Sequence, residues 1–143
     1  MTSVIHVEIS WGDCDPAGIV FYPNYFAYFN RATDAFFDGL GVPLSEAMKR
    51  HGILGWPMLE TRSKFLRPSR FGDLLSIETN LVRLGRSSFG LRHRLRGADG
   101  ELRVEGHDER VWARDEAGVL RAEPIAPLVR ERLMAVLLTC DNS

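Results

Sequence analysis

Two residues that can take part in chemistry stand close together near the start of the chain, around a turn-forming segment. Asp15 is followed by Pro16 and Gly18, and Tyr22 stands directly before Pro23. Proline is favoured at the first position of a helix, and the N–H groups at and before that position lie at the positive end of the helix dipole. A carbonyl group held between those N–H groups and the Asp15 carboxylate would be polarised and attacked, which is the chemistry of acyl transfer.

The Asp15 carboxylate has two candidate roles in such a reaction. It can attack the carbonyl directly to form an acyl-enzyme anhydride, or it can activate a water molecule as a general base. Gly18 would let the main chain approach the substrate closely, and backbone N–H donors near Tyr22 would stabilise the oxyanion. A turn or helix-capping role is the commoner explanation for an isolated Asp before a helix, and Asp13 fits that explanation better than Asp15 does.

The spacing of apolar side chains predicts the elements that position these residues. Residues 4–11 alternate as a half-buried strand does, and residues 23–40 carry an apolar arc wide enough for a buried helix, with Gly39 and Gly41 as its stop. A short helix is predicted over residues 43–51 and a last one over residues 126–139. Further strands, separated by Gly, Pro and Asp turn residues, are predicted over residues 59–66, 74–84, 87–96 and 102–114.

One buried helix followed by successive hairpins predicts an α+β arrangement with an antiparallel sheet. The chain has 143 residues, of which 45% are hydrophobic and 26% charged, so we expect one globular domain over residues 1–143. Periodicity alone does not distinguish this arrangement from other folds that place a helix on an antiparallel sheet.

Composition excludes several classes of protein. The formal net charge of −1 gives no electrostatic case for a nucleic-acid partner, and no apolar run approaches the roughly 20 residues of a membrane-spanning helix. The two cysteines, Cys14 and Cys140, accompany no secretory signal pattern, so we expect reduced thiols in the cytoplasm. The four histidines lack metal-ligand spacing, and no signature of a cysteine hydrolase surrounds Cys14; we expect no metal site.

Residues 12–25 read Gly-Asp-Cys-Asp-Pro-Ala-Gly-Ile-Val-Phe-Tyr-Pro-Asn-Tyr. This segment resembles the corresponding motif of the 4-hydroxybenzoyl-CoA thioesterases of the hot-dog superfamily, and a weaker likeness continues through residues 52–57, 86–89 and 92–93 to residue 121. The resemblance implies a hot-dog fold, in which an antiparallel sheet wraps around a long central helix. It also implies a homo-oligomer, a dimer of dimers forming a homotetramer, with active sites at subunit boundaries.

The same resemblance implies a cytoplasmic hydrolase of aromatic degradation that splits an aromatic acyl-CoA, 4-hydroxybenzoyl-CoA or a benzoyl-CoA-like thioester, into the acid and free CoA. It places Asp15 as the attacking group and the Tyr22 N–H as the oxyanion donor. Because CoA is part of the substrate, no further cofactor is expected. Pro23, which follows Tyr22 where related thioesterases often carry histidine, places the chain with the aryl branch.

Four further residues are candidates for contact with the substrate. Arg86 matches a nucleotide-binding position of the family and Arg121 is a weaker candidate for the same task, since arginine suits forked contacts with phosphate. Tyr25 and Trp56 could line an aryl pocket, although core filling is the commoner role and the favoured explanation for each of them individually. The remaining arginines, including those of residues 62–70 and 92–96, are expected on the solvated surface.

Asn30 and Thr33 are predicted at or inside the apolar face of the long helix. A buried polar side chain needs a partner, which could be a ring substituent of the substrate or an ordinary backbone hydrogen bond. Aryl members of the family tend to carry an acidic residue where Asn30 falls.

Two other functions remain open. A hot-dog domain that binds acyl-CoA without hydrolysis would keep the helix and the arginines but would not use Asp15. A dehydratase or hydratase on the same architecture generally needs a positioned histidine beside its carboxylate, and residues 12–25 contain no histidine.

Overall fold

The computed structural model describes residues 3–138 of the chain. Three helices are present in this range: α1 (Pro23–Gly39), α2 (Leu44–His51) and α3 (Pro127–Val136). The strands are β1 (Ser3–Glu8), β2 (Met58–Phe65), β3 (Leu74–Leu84), β4 (Ser88–Arg96), β5 (Leu102–Val111), β6 (Ala113–Glu116) and β7 (Val119–Ala122).

Five of the strands form one antiparallel sheet in the order β1-β3-β4-β5-β2. The predicted hairpins are present between β3 and β4 and between β4 and β5, but the prediction is wrong for β2, which pairs with β5 at the far edge. Directly after β2, the N–H groups of Leu66 and Arg67 both donate to the Arg103 carbonyl, so the chain stays beside β5 to the end of β2. Residues 66–73 then cross to the start of β3, so β2 is an edge strand whose side chains are mostly exposed.

The first strand is shorter than the predicted range of residues 4–11. Its buried positions Val7 and Ile9 agree with the alternation, but a 3-10 turn covers Trp11–Asp13. The Ser10 N–H and hydroxyl both donate to the Asp13 carboxylate, at 3.0 and 2.8 Å, and these bonds end the extended conformation. Trp11 is consequently 79% exposed rather than part of the core face.

Helix α1 lies against the inner face of the sheet, as predicted for a helix with so wide an apolar arc. Its buried side chains are Tyr25, Tyr28, Phe29, Ala32, Thr33, Phe36 and Phe37. Each fully buried aromatic ring contributes on the order of 1.5–3 kcal/mol of burial free energy. Gly39 is the last helical residue and Gly41, at φ +75°, is the glycine that turns the chain away.

Two apolar clusters join α1 to the sheet. One surrounds Phe29 and includes Ile77, Leu95 and Val104. The other surrounds Phe37, which stacks on Trp56 with ring centroids 4.0 Å apart, and it includes residues of α3. The predicted α+β arrangement is therefore confirmed.

The last predicted strand, residues 102–114, is divided in the structure. The buried Trp112 separates β5 from β6, and Ala113 begins a separate hairpin of β6 and β7, of which β7 was not predicted. Ala117 and Gly118 both have positive φ, +54° and +83°, as a tight hairpin turn requires. The predicted last helix ends at Val136, and Thr139 and Cys140 lie outside the described residues.

Candidate active site

Asp15 lies at the closed end of a small hairpin that leads into α1. Its N–H donates to the Ile19 carbonyl at 2.9 Å, and the Gly18 N–H donates to the Asp15 carbonyl at 2.9 Å. Gly18 adopts a φ of +82°, a conformation that side chains other than glycine rarely tolerate. Cys14 and Val20 pair behind this turn. The Pro16 and Gly18 signals in the sequence thus build a tight loop that presents the Asp15 side chain.

The Asp15 carboxylate faces a cavity of about 370 Å³. Its Oδ1 atom accepts the Ala17 N–H at 2.9 Å, and no other residue within 3–138 donates to the carboxylate. The side chain is therefore held by one hydrogen bond while Oδ2 stays available for chemistry. Trp11 and Phe71 provide the large apolar walls of this cavity, a role that the sequence did not indicate because the two residues are 60 positions apart.

Tyr22 is the residue at the start of α1, and its N–H has no hydrogen-bond acceptor within the described chain. The two preceding N–H groups are engaged, because Val20 donates to the Ser69 carbonyl and Phe21 donates to the Asp13 carbonyl. We expected several free N–H donors at and before Tyr22. Of residues 20–22, only Tyr22 has an N–H group without an acceptor in the described chain. Tyr22 follows the open end of the hairpin and does not line the Asp15 cavity.

Asp13 has the structural role that the sequence favoured for it. Burial acts to raise the pKa of this carboxyl, but the hydrogen bonds from Ser10 outweigh it, so the pKa lies below its ordinary value. The Asp13 carbonyl also accepts Nδ2 of Asn24 at 2.8 Å, which ties the first turn of α1 to the hairpin. Asp13 therefore positions the segment that carries Asp15.

Arg86 lies in the tight connection between β3 and β4 and is exposed. The Asp15 hairpin is attached to residues 69–73, just before the other end of β3, through the bonds to Ser69 and the pairing of Ile19 with Arg70. Strand β3 has 11 residues, so the two sites are separated by roughly 30–35 Å along the sheet. Arg121 is exposed on β7 and pairs with Glu116 at 3.3 Å.

Tyr25 and Trp56 are both 4% exposed and belong to the two apolar clusters. Tyr25 packs edge-to-face against Tyr28, and Trp56 stacks on Phe37. Their positions favour core filling over contact with a ligand. The cavity beside Asp15 is lined by other aromatic residues, Trp11 and Phe71.

Thr33 and Asn30 differ in burial. Thr33 is fully buried and its hydroxyl donates to the Phe29 carbonyl at 2.9 Å, which is the ordinary backbone bond considered for both residues. Asn30 is exposed, so its predicted place in the apolar face is wrong, and its partner is a side chain: Oδ1 accepts Nη2 of Arg110 at 3.1 Å. The buried apolar face of α1 therefore does not include position 30.

A buried polar network beneath α1 was not predicted. His93 is fully buried, stacks on Phe29, and connects the Thr79 hydroxyl, at 2.8 Å from Nδ1, to Asp108, at 3.0 Å from Nε2. The Asp108 carboxylate also accepts the Thr61 hydroxyl at 2.7 Å. Because a carboxylate only accepts, Nε2 carries the His93 proton and Nδ1 accepts from Thr79. His93 sits in an arginine-rich stretch that resembles a solvated strand.

Burial decides the charge state of His93, whereas hydrogen bonds decide that of Asp108. Burial lowers the pKa of His93, so the imidazole is neutral near pH 7. Burial acts to raise the pKa of Asp108, but the His93 and Thr61 hydrogen bonds outweigh it and the pKa lies below its ordinary value. Arg110 is also buried, at 6% exposure. Arg92 has the same exposure, which corrects the expectation of solvent exposure for this member of the arginines in residues 92–96.

Other features of the described chain limit the chemistry. Residues 3–138 bring together no group of three or more His, Cys, Asp or Glu side chains that could hold a metal ion. None of the helices in the same range combines the length and hydropathy that membrane crossing requires. The arrangement around Asp15 offers a carboxylate oxygen, an apolar cavity and a nearby helix start.

Comparisons with known proteins identify the family of the chain. The sequence model of the Thioesterase-like superfamily matches residues 9–133. The chain is 34% identical to the 4-hydroxybenzoyl-CoA thioesterase of Pseudomonas sp. (strain CBS-3) over 80% of this chain and 85% of the relative. It is 31% identical to a 1,4-dihydroxy-2-naphthoyl-CoA hydrolase of Synechococcus elongatus over 61% of this chain and 64% of the relative.

Solved structures show the same fold. The structure of the Pseudomonas thioesterase superposes with a TM-score of 0.87 at 31% identity, covering 92% of this chain and 98% of that one. A gentisyl-coenzyme A thioesterase superposes with a TM-score of 0.79 at 35% identity and with the same coverage. The hot-dog fold implied by residues 12–25 is thereby confirmed, and the chain belongs to the Thioesterase-like superfamily, as an acyl-CoA thioester hydrolase of the 4-hydroxybenzoyl-CoA thioesterase family.

Proposed function

We propose that this protein hydrolyses an aromatic acyl-CoA thioester, 4-hydroxybenzoyl-CoA or a benzoyl-CoA-like compound, to the carboxylic acid and free CoA. The observation that carries the proposal is the Asp15 carboxylate, fixed through Oδ1 by Ala17 and facing a cavity with the aromatic walls Trp11 and Phe71. Flat apolar walls suit an aryl group better than a short aliphatic chain. The named relatives that act on hydroxylated aryl-CoA thioesters support the same substrate class.

The reaction can follow either of two routes from this geometry. In the first, an Asp15 oxygen attacks the thioester carbon, the carbon–sulfur bond breaks, the CoA thiolate leaves, and water hydrolyses the anhydride. In the second, Asp15 takes a proton from water, which attacks the same carbon. The thiolate has a conjugate-acid pKa of about 8.5 and so leaves without a strong general acid. The Tyr22 N–H is the candidate donor to the oxyanion.

The role of Asp15 is tested by following thiol release from benzoyl-CoA and 4-hydroxybenzoyl-CoA. Asp15→Asn keeps an oxygen for the Ala17 N–H but removes the negative charge, so we expect the rate to fall by roughly 10²- to 10⁴-fold. Asp99→Asn is the matched control, because Asp99 Oδ1 accepts the Glu101 N–H at 3.0 Å in the same local geometry, in the connection between β4 and β5. Equal rates for wild type and Asp15→Asn would exclude the proposed chemistry.

We further propose that the active unit is a homo-oligomer, a dimer of dimers, in which Asp15 of one subunit acts with Arg86 of another. Two observations support this: the long separation of these residues along β3, and the open edge strand β2, whose exposed side chains include Met58, Leu59 and Phe65. An open apolar edge is suited to a partner strand. Arg86 would then bind CoA phosphate groups at the boundary.

Complementation between two inactive variants tests the shared site. A heterodimer of Asp15→Asn and Arg86→Ala subunits contains one intact site and one doubly altered site if each site combines two chains. Random mixing should then restore about a quarter of the wild-type rate. If both residues of a site come from one chain, every site in the mixture carries a defect and no activity returns. Sedimentation analysis of the wild type measures the number of subunits.

A further inference from the structure

Arg92 of β4 is a buried cation on the outer face of the sheet, the side opposite to α1. Its neighbour in the strand, His93, points inwards and stacks on Phe29, and successive side chains of a strand point to opposite faces. Arg92 therefore lies on the outer face, where it is only 6% exposed. Because a guanidinium keeps its charge in proteins, this face holds a buried positive charge.

No residue of the described range 3–138 neutralises this charge. The Nε atom of Arg92 is buried without a hydrogen-bond partner, and the same residues place no carboxylate within ion-pair distance of its guanidinium. Burying a cation without a counter-charge is unfavourable. A bound anion would remove this penalty.

The carboxylates around Arg92 are engaged by other side chains. Glu78, Glu105 and Glu109 lie diagonally across from Arg92 in the register of β3, β4 and β5, a separation that long side chains can bridge. Each of the three accepts a hydrogen bond from a side chain other than Arg92. The sheet thus surrounds Arg92 with glutamates without pairing any of them with it.

Further side chains that can donate to an anion lie beside Arg92 in the same row of the sheet. Arg92 is the register partner of His107 on β5, and His107 is that of Arg62 on β2. Side chains directly opposite each other have Cβ atoms about 4.5–5.5 Å apart. His107, Arg62 and Lys64 line a cavity of about 490 Å³. The row that begins at Arg92 therefore leads to this outer cavity.

The lining of the outer cavity carries more positive than negative charge. Within the described chain Lys64 pairs with no carboxylate, and Arg62 reaches Glu60 only at 3.8 Å on the exposed surface. Among the described residues that line the cavity, Glu105 alone carries a carboxylate, and His107 lies 3.1 Å from it. Two cationic side chains therefore remain for a ligand, in addition to Arg92.

We propose that Arg92, Arg62, Lys64 and His107 form a binding site for a small phosphate compound, a monoester or a diphosphate, on the outer face of the sheet. A planar guanidinium matches two phosphate oxygens, and several neighbouring cations favour an anion with more than one negative charge. The cavity has the volume of a small-molecule site, which leaves room for the organic part of an ester.

This site is separate from the proposed active site. Arg86, the candidate for CoA phosphate groups, precedes Arg92 by six residues, which span about 20 Å along a strand. The outer cavity and the Asp15 cavity have no lining residue in common. The inference therefore does not depend on the proposed thioesterase function.

Isothermal titration calorimetry with AMP and with pyrophosphate tests the site on the wild-type protein. We expect at least one of the two to bind with a Kd below about 1 mM; tighter binding of AMP would assign the site to monoesters, and tighter binding of pyrophosphate to diphosphates. Arg92→Met keeps an unbranched stem and removes the charge, so it should weaken binding roughly 10- to 100-fold, the worth of a hydrogen bond to a charged group. Without ligand this variant should unfold at the wild-type temperature or above, because it removes a buried unpaired charge.

Arg62→Met and Arg50→Met form a matched pair of exposed changes. Arg62 lies 3.8 Å from Glu60, and Arg50 of α2 lies 3.9 Å from Glu46 in a similarly exposed ion pair. Arg62→Met should weaken binding by roughly 2- to 5-fold. Arg50→Met should bind with the wild-type Kd.

The inference is overturned if neither compound binds wild type below about 1 mM, or if Arg92→Met and Arg62→Met keep the wild-type Kd. Arg86→Ala separates this site from the candidate CoA site: we expect it to retain binding, and loss of binding in Arg86→Ala alone would place the anion at Arg86 and overturn the inference. Thiol release from benzoyl-CoA is measured separately. Its absence would contradict the proposed function and would leave these binding results unchanged.

Discussion

Gly106 of β5 is the position where the fit between the sheet and α1 can be tested most directly. A Cβ atom added there would lie 2.6 Å from Cε2 and 3.0 Å from Cδ2 of Phe29, and 3.1 Å from Oγ of Ser63. The Phe29 ring has no room to retreat, because it is 1% exposed and stacks on His93 with centroids 4.8 Å apart and planes within 6°. Gly106→Ala must therefore shift either α1 or the sheet.

Overpacking a buried site by one methyl group lowers the free energy of unfolding by about 1–3 kcal/mol. For a chain of this length that corresponds to a fall in Tm of roughly 3–9 °C. Urea unfolding followed by tryptophan fluorescence and circular dichroism measures the loss, at one fixed protein concentration because an oligomer is stabilised by mass action. Because Phe29 and Tyr22 share a helix, we also expect thiol release to slow.

Gly39→Ala is the matched control for this experiment. A Cβ at Gly39 meets nothing within 4 Å, and the residue is helical with an ordinary φ. Alanine should therefore keep the stability or raise it by up to about 1 kcal/mol. If Gly106→Ala unfolded at the same urea concentration as wild type, the close packing of Phe29 against β5 would be refuted.

Three further outcomes are expected. The hydrogen bond from the Arg70 N–H, followed by the one from Arg103, holds the pKa of Asp73 below its ordinary 3.8 despite an opposing effect of burial. The stability that the ionised Asp73 contributes is present above about pH 4 and is lost as pH falls through the lowered pKa, so the urea midpoint of Asp73→Asn should decline less between about pH 5 and pH 3 than that of wild type. An unchanged slope would contradict the assignment. Phe71 is an exposed wall of the Asp15 cavity, so Phe71→Ser should keep the wild-type Tm within experimental error and reduce kcat/KM for aryl thioesters by an amount equivalent to about 1–3 kcal/mol. If kcat/KM equalled that of wild type, Phe71 would not belong to the site. Thr33→Val replaces one hydroxyl with a methyl group and leaves the Phe29 carbonyl, its acceptor, inside the helix. Thermal unfolding should therefore show a loss of unfolding free energy within about 1 kcal/mol. A much larger loss would mean that the hydroxyl has another role.

Local features could be predicted wherever a few neighbouring residues decide the conformation. Pro23 permits a helix start and Gly41 supplies the left-handed residue that ends it, and α1 is observed between them. Pro16 and Gly18 likewise predicted the turn that presents Asp15. In each case the deciding terms are backbone dihedral preferences and hydrogen bonds over two to four positions, which a sequence displays directly.

Strand partners could not be predicted in the same way. Strand β2 is followed in the chain by β3, yet it pairs with β5, and the Thr61 hydroxyl meets a carboxylate 47 positions away. An edge strand pairs with whichever distant strand still has unpaired backbone N–H and C=O groups. Which strand that is depends on how the whole chain folds, and no local segment of the sequence shows it. The assumption of successive hairpins therefore failed where the chain passes from β2, at one edge of the sheet, to β3, beside the strand at the other edge.

The candidate site shows the same division between local and distant information. Residues 12–25 alone determined the carboxylate, the turn that carries it and the helix start beside it, because all three are formed within one short segment. Only the tertiary structure decided that Trp11 and Phe71 line one cavity with Asp15, that Tyr25 and Trp56 are core residues, and that Asn30 accepts a hydrogen bond from Arg110. Burial and side-chain orientation follow from the packing of α1 on five strands, and no single segment contains that contact.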